Sequence, residues 1–428
     1  MKSSKYNICL PYEDKYIIFN GVTKQFYRVS SQNKDAFIEI MDSPDKYKGI
    51  YKPFLTQMYD GGFIVEDSTD ELETIRQQYL NSINIKEYRL MILPTYSCNV
   101  ACWYCIQRHQ SIHLSEEDVA RIKKHIKCYL SFYNLKGLHL SWFGGEPLLD
   151  FQHIEDIASY ARYYCKEHNL SYYSTLTSNG ILLSENILRK MKDLNFTFFQ
   201  ITIDGSQKEH DKVKVIKGKS AYESVLSNIC LITKILPSAE IHLRFNYTHN
   251  NIKPKEFVRD LNRFLPVGVR KHIQLSLMKV WQEDVSTINV GELDELVRLA
   301  TENGYFTTIG AGFYPCYVDR FHFNCIFPNG KVDKCDNIGL EKCRGSIDKK
   351  GYIKWDSPPS FPKETIYHDT FSPCLSCKYL PVCYGPCPYE REKAKNEHRH
   401  FGCRYKYPDK IFEKRILSYC QNIIRSKK

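Results

Sequence analysis

The chain has 428 residues, 43% hydrophobic and 25% charged, which is too long for one ordinary core and describes a globular protein of two or three domains. No uncharged apolar run approaches bilayer length, and charge interrupts MKSSKYNICLPYEDKYIIFNG too often for a signal peptide, so a cytoplasmic protein without a membrane anchor is expected. The net charge of +11, from 60 Lys and Arg against 49 Asp and Glu, is spread along the chain, with neither the basic cluster nor the base-reading motif of a nucleic-acid partner.

In chain order, KYIIFN and KQFYRVS, joined by GVT, read as a hairpin. DAFIEIMDSP and YKPFLTQMYD read as short helices and GGFIVE as a returning strand, a composition that suggests a winged-helix type of α+β domain over residues 1–85. From about residue 86 the pattern changes to alternating β-rich and helical segments. The strand candidates are RLMILPTY, GLHLSWF, LSYYSTLTS, FTFFQITID, EIHLRFNYT and HIQLSLMKV. Helices between them include SEEDVARIKKHIKCYLSFYN, opened by a capping-box pair of Ser115 and Asp118, then SENILRKMKDLN, AYESVLSNICLITKILP and KPKEFVRDLNRFLP, with GELDELVRLATENG last. Six β/α units are too few to close an eightfold barrel, so an open partial (β/α)6 barrel is predicted for residues 86–304. Helical periodicity then fades and cysteines crowd in, which marks a third, loop-rich domain over 305–428.

Seventeen cysteines in a long chain with no export signal point to metal ligation rather than disulfides. Cys98, Cys102 and Cys105 fall in one loop after the first strand candidate, on the side of such folds where chemistry collects. Three thiolates leave a four-iron cluster with one open iron; a zinc site completed by a distant His or Cys is the alternative. Second-strand FGGEPLL supplies Gly144, Gly145, Glu146 and Pro147, with glycines for close backbone approach and a carboxylate able to accept from an ammonium. TSNGILL places Ser178 and Asn179 after the third strand, TIDGSQKEHD places Asp204 after the fourth, and LRFNYTH carries Arg244 in the fifth.

The C-x3-C-x2-C spacing, with Tyr104 before the last cysteine, resembles the signature of the radical S-adenosylmethionine (SAM) superfamily, and the three turns after the second, third and fourth strands resemble its SAM-binding motifs. The resemblance implies that Glu146 receives the SAM amino group and that Ser178, Asn179 and Asp204 lie by the ribose; for Arg244 two roles stand open, a partner for the SAM carboxylate in the same cavity or a salt bridge at the core edge. Near the C-terminus, Cys374, Cys377, Cys383, Cys387 and Cys403, preceded by Cys316, Cys325, Gly330 and Cys335, resemble the SPASM extension, which carries two auxiliary four-iron clusters. Carried over by position, one cluster takes Cys316, Cys325, Cys335 and Cys387 and the other Cys374, Cys377, Cys383 and Cys403, with Cys343 the candidate to replace Cys325. A zinc-ribbon reading competes with it. Asp336 resembles a carboxylate base of the anaerobic sulfatase-maturing relatives.

The resemblance, covering about residues 86–410, implies three [4Fe-4S] clusters and SAM as cofactors, with flavodoxin or ferredoxin as electron donor. It also implies a maturase that abstracts hydrogen from a ribosomally made precursor peptide, held by its leader on the N-terminal domain, and forms a thioether or carbon–carbon crosslink. A formylglycine-forming maturase of a sulfatase-type protein is the alternative.

Overall fold

The computed structural model describes residues 1–107, 109–284, 289–310, 312–360, 372–403, 405 and 408–426. The chain divides into two compact units, one of residues 86–310 with 322–359, and one assembled from 1–85, 311–321 and 360–428.

In the first unit all six expected strands form: β1 (Glu87–Ile92), β2 (Gly137–Trp142), β3 (Ser171–Ser178), β4 (Phe196–Ile203), β5 (Glu240–Tyr247) and β6 (Ile273–Lys279). They lie side by side in sequence order, each parallel to the next. The sheet also extends at both edges. β7 (Phe306–Ile309) joins β6, and β8 (Phe323–Ile326) runs parallel beside β1. Short antiparallel strands at Lys331–Asp333, Gly345–Ile347 and Ile353–Trp355 continue outward from β8. The order is linear from β7 to Ile353–Trp355, so the sheet stays open.

Parallel sheet needs cover on both faces, and β2 is buried at every position. Leu138, Leu140, Ile201, Ile203, Ile241, Leu243, Ile273 and Leu275 sit in one continuous core. The helix Glu116–Phe132 opens with a complete capping box, in which Ser115 accepts from the Asp118 amide and Asp118 accepts from the Ser115 amide. Its buried residues, Val119, Ile122, Ile126 and Leu130, recur at helical spacing. A helix absent from the sequence reading, Phe151–Glu167, follows the turn at Pro147–Asp150 with no side-chain cap, which is why no start signal marked it.

In the second unit the expected hairpin pairs Lys15–Asn20 with Phe26–Ser30, and a third strand, Asn7–Tyr12, lies on the other side of Lys15–Asn20. The expected short helices form at Lys34–Asp42 and Lys52–Asp60, and Ile64–Val65 returns as a strand against Lys2–Ser3. Both faces of the small sheet are buried. Ile8, Leu10, Ile17 and Phe19 pack with Phe412, Ile416 and Cys420 of the helix Pro408–Ser426, whereas Ile18 and Val29 pack with Phe37, Met41, Leu55 and Met58. The N-terminal segment therefore shares its core with C-terminal residues. The run Ile17-Ile18-Phe19, apolar at consecutive positions, accounts for this, because a strand apolar on both sides needs two covering layers. No helix among the described residues is long and apolar enough to cross a membrane.

Replacing Ser115 by Ala removes one arm of the capping box at Glu116–Phe132 and is expected to cost about 1 kcal/mol, read as a lower urea midpoint with an unchanged slope.

Candidate active site

The cysteine loop leaves the C-terminal end of β1 and has almost no regular structure, so its shape is set by hydrogen bonds. Thr95 Oγ1 donates to the Ile112 carbonyl at 2.9 Å and accepts from the Ser97 amide at 2.9 Å. The Tyr96 amide also donates to Ile112, and the Cys105 amide to the Cys102 carbonyl, a tight turn that brings these two cysteines close. Burial pushes the Cys98 thiol up to about 11, and Cys102 and Cys105 as anions push the same way. Partly desolvated thiols that repel one another as thiolates are a donor set suited to a cationic centre. Among the described residues no three His, Cys, Asp or Glu side chains converge on one point as a single ion requires. A cluster, which takes each thiolate on a separate iron, does not need that convergence. His109 Nε2, not singled out in the sequence, stands 3.4 Å from Cys105 Sγ.

The turn after β2 packs on this loop. Gly144 has φ of +131°, and a Cβ there would lie 2.6 Å from the Thr95 carbonyl oxygen; at Gly145 a Cβ would lie 2.2 Å from that of Ser97. The Gly145 and Glu146 amides donate to those same carbonyls at 3.0 and 2.8 Å. The backbone that the two glycines admit is thus the chain's own cysteine loop. Pro147, buried, starts the following short turn.

Glu146 is fully buried, and its carboxylate is occupied within the protein. It accepts from Ser178 Oγ at 2.9 and 3.0 Å, from the Asn179 amide at 2.9 Å and from the Leu148 amide at 3.1 Å. Burial raises its pKa to about 7 against the pull of those donors. Glu146 and Ser178 thereby join the turns after β2 and β3. Asn179 then reaches the loop, donating from Nδ2 to Asn99 Oδ1 at 2.7 Å, with Cys98 Sγ at 3.9 Å.

Asp204, at the end of β4, is also fully buried. One oxygen accepts from the Tyr104 hydroxyl and the other from Lys214 Nζ. Burial opposes its ionisation, but Lys214 and the Tyr104 hydrogen bond hold its pKa below the ordinary value. His210, whose Nδ1 accepts from the Asp204 amide, is driven down to about 3, chiefly by burial, and so is neutral. On β5, Arg244 Nε donates to Asn246 Oδ1 at 2.9 Å, and Asn246 Nδ2 donates to the Tyr104 hydroxyl at 3.1 Å. Gln282, beyond β6, donates to the Tyr104 carbonyl at 2.9 Å. The ends of five consecutive strands therefore hold one loop. Lys214, Asn246 and Gln282 were missed in the sequence; Lys214 has no local signal among Lys212, Lys217 and Lys219, and the other two are single amides.

The C-terminal cysteines divide between the units. Cys325 is buried in β8, with Asp336, Cys335 and Cys343 as its electrostatic neighbours. Asp336 is itself largely buried. In the other unit Cys403 and Cys377, with Arg391, are electrostatic neighbours of Cys374, Cys403 is one of Cys377, and the Cys377 amide donates to the Cys374 carbonyl. Cys316, Cys383 and Cys387 belong to that same unit.

The sequence profile of the Radical SAM superfamily matches residues 92–261, which contain the cysteine loop and the turns after β2, β3 and β4. The Radical SAM cyclopropyl synthase TigE of Paramaledivibacter caminithermalis is 20% identical, over 89% of this chain and 84% of its own. The uncharacterized protein MJ0907 of Methanocaldococcus jannaschii is 26% identical, over 62% of this chain and 90% of its own. Among solved structures, anSMEcpe with bound AdoMet and the Kp18Cys peptide superimposes with a TM-score of 0.57 at 16% identity, over 80% of this chain and 99% of that one. At that identity the likeness is one of fold.

Gly145→Ala is expected to push the β2 turn off the Ser97 carbonyl, giving a folded protein that retains less iron at the cysteine loop after anaerobic reconstitution, read by iron content and absorbance. Lys214→Met leaves Asp204 buried without its cation and is expected to cost about 3–5 kcal/mol near neutral pH. Because the folded pKa of Asp204 is depressed, the pair's contribution is present above about pH 4 and lost as pH falls through the folded value. The gap between wild type and Lys214→Met in urea melts should therefore narrow in acid.

Proposed function

From the Radical SAM profile matched at residues 92–261 we propose that this chain is a radical SAM enzyme, and a peptide maturase. The observation that carries the reading is the three-cysteine loop held at the mouth of an open parallel sheet by the turns that follow β2, β3 and β4. Cys98, Cys102 and Cys105 would hold a [4Fe-4S] cluster and leave one iron for the amino and carboxylate groups of SAM. When bound and reduced, that centre supplies a 5'-deoxyadenosyl radical, which removes hydrogen from a substrate carbon.

The chain's own part is to position. Gly144, Gly145, Glu146 and Pro147 fix the β2 turn against the loop; Ser178 and Asn179 fix the β3 turn; Asp204 fixes Tyr104. These turns, with Arg244 on β5, frame the SAM site. In the C-terminal field, Cys316, Cys325 (or Cys343), Cys335 and Cys387 would hold one auxiliary cluster, and Cys374, Cys377, Cys383 and Cys403 the other, as in a SPASM domain. Asp336, beside Cys335, would take the proton released at the substrate onto its carboxylate.

A peptide substrate is supported by one fold neighbour, anSMEcpe, which is seen with a bound peptide. Strands Asn7–Tyr12 and Phe26–Ser30 are the two edges of the small N-terminal sheet, and a leader peptide would add to one of them as a further strand. Holding the leader there raises the effective concentration of the core peptide. The product would be a thioether or carbon–carbon crosslink, with flavodoxin or ferredoxin supplying the first electron.

Anaerobic co-expression with a short Cys-rich or aromatic-rich candidate precursor tests this. Loss of hydrogen pairs from the peptide mass, absent when Cys98, Cys102 and Cys105 are all Ala, is the expected result. Normal 5'-deoxyadenosine formation by that triple variant would overturn the cluster assignment. SAM cleavage with an unchanged precursor, but turnover of a sulfatase-motif peptide with no leader, would instead assign formylglycine formation.

A further inference from the structure

In the unit assembled from 1–85, 311–321 and 360–428, Tyr6 is completely buried, and its hydroxyl has no hydrogen-bond partner among the described residues. A buried hydroxyl left unpaired is costly, and natural structures keep one chiefly where something else accepts from it. The anionic neighbours of that hydroxyl are Glu71, Cys377 and Asp70, in that order. Glu71 accepts from Ser4 Oγ and, at 3.1 Å, from the Lys5 amide, whereas Asp70 accepts from the Glu73 amide at the start of the helix Glu71–Ile83. Both carboxylates are engaged elsewhere, which leaves the cysteine.

Packing fastens Tyr6 to the segment that carries that cysteine. Tyr6 shares one buried core with Cys374 and Leu380. Its carbonyl accepts from the Gly21 amide at 2.9 Å, and a Cβ on Gly21 would lie 3.4 Å from the same oxygen and 3.5 Å from Pro381 Cγ. Lys24 Nζ, in the same hairpin turn, donates to the Gly21 carbonyl and, at 2.6 Å, to the Pro381 carbonyl. Pro381 belongs to the short helix Leu380–Cys383, so the contact falls between Cys377 and Cys383.

The four thiols of the second assigned set, Cys374, Cys377, Cys383 and Cys403, all belong to this unit, and Cys403 is an electrostatic neighbour of both Cys374 and Cys377. A four-iron cluster held by four thiolates is an anion whose sulfurs accept hydrogen bonds, and such bonds are one means by which a protein sets reduction potential. The orphaned hydroxyl is a donor of the kind that such a centre takes.

Resting on the auxiliary-cluster reading above, we propose that the N-terminal segment supplies a hydrogen bond to the cluster of Cys374, Cys377, Cys383 and Cys403: the Tyr6 hydroxyl donates to sulfur on its Cys377 side. The bond offsets the extra negative charge of the reduced centre, so its loss lowers that centre's potential. Tyr6 immediately precedes the edge strand Asn7–Tyr12, and the segment that offers an edge to a leader thereby also touches a redox centre.

The test uses the full chain with Cys98, Cys102 and Cys105 replaced by Ala, so that only auxiliary centres contribute. After anaerobic reconstitution, iron and sulfide per chain and the midpoint potentials are measured for this parent and for Tyr6→Phe, which removes one oxygen and keeps the ring in its core. Cys377→Ser and Cys335→Ser in the same parent identify which centre is which. Tyr6→Phe is expected to keep the parent's iron and to shift one centre, the one that Cys377→Ser alters, to more negative potential. Auxiliary iron retained with both potentials unchanged would overturn the proposal, and so would a shift confined to the centre that Cys335→Ser alters. Equal iron loss from both centres would assign Tyr6 to packing and overturn it as well. A parent that binds no auxiliary iron would overturn the cluster reading itself, a failure distinct from the others.

Discussion

A loop without regular secondary structure keeps its shape only if groups outside it hold it, and at the mouth of this sheet the buried carboxylate of Asp204 is the central holding group. It is a charge with no access to water, so it must be neutralised, and Lys214 supplies the counter-charge. With one oxygen engaged by Lys214, the other has a fixed direction and receives the Tyr104 hydroxyl from the cysteine loop. Asn246 then fixes that hydroxyl from the side, and Arg244 fixes Asn246. The position of Cys105, next in sequence to Tyr104, follows from this chain of contacts.

Glu146 does the same from the other side of the loop by a different means. Among the described residues no cation hydrogen-bonds it, Lys214 acting only at a distance; its carboxylate is solvated by a hydroxyl and two amides, and burial leaves it easier to protonate than an ordinary glutamate. It joins two turns that each touch the loop: the first through the Gly145 amide on the Thr95 carbonyl and the Glu146 amide on that of Ser97, the second through Asn179 on Asn99. The loop is braced between one charged and one hydrogen-bonded carboxylate. Cluster ligands, unlike ligands to a single ion, attach to separate irons, so their spacing has to be set by the protein, and this double bracing sets it.

The sequence made the scaffold legible because each barrel strand is a short β-rich run closed by its own turn, and parallel order follows once helices alternate with strands. Ser115 and Asp118 announced their helix correctly. Partners were harder to read. The motif glycines were identified, but periodicity and turn chemistry cannot say whether the close approach they allow is to a ligand or to Ser97, 48 positions earlier in the chain. Asp204 was identified and Lys214 was not, since only the helix Gln207–Val213 folding back selects one lysine from a run of similar ones. In the N-terminal region the hairpin was plain from KYIIFN and KQFYRVS. That its inner strand is covered on both faces was written in the consecutive apolar residues, but a covering helix nearly four hundred residues away leaves no local trace.

The two cysteine fields meet one physical requirement with different resources. In the barrel, strand ends converge, and side chains from successive turns reach a single loop. Of the C-terminal cysteines in the other unit, Cys377 and Cys383 pack against the core of the small antiparallel sheet, Cys374 and Cys377 share a tight turn, and Cys316 and Cys387 lie on segments some seventy residues apart in sequence. Where no strand ends converge, a long-range tie must replace them, and a buried ion pair between Asp319 and Arg391 is such a tie. Regular structure and buried charge are, in this chain, alternative ways of fixing segments that carry cysteines.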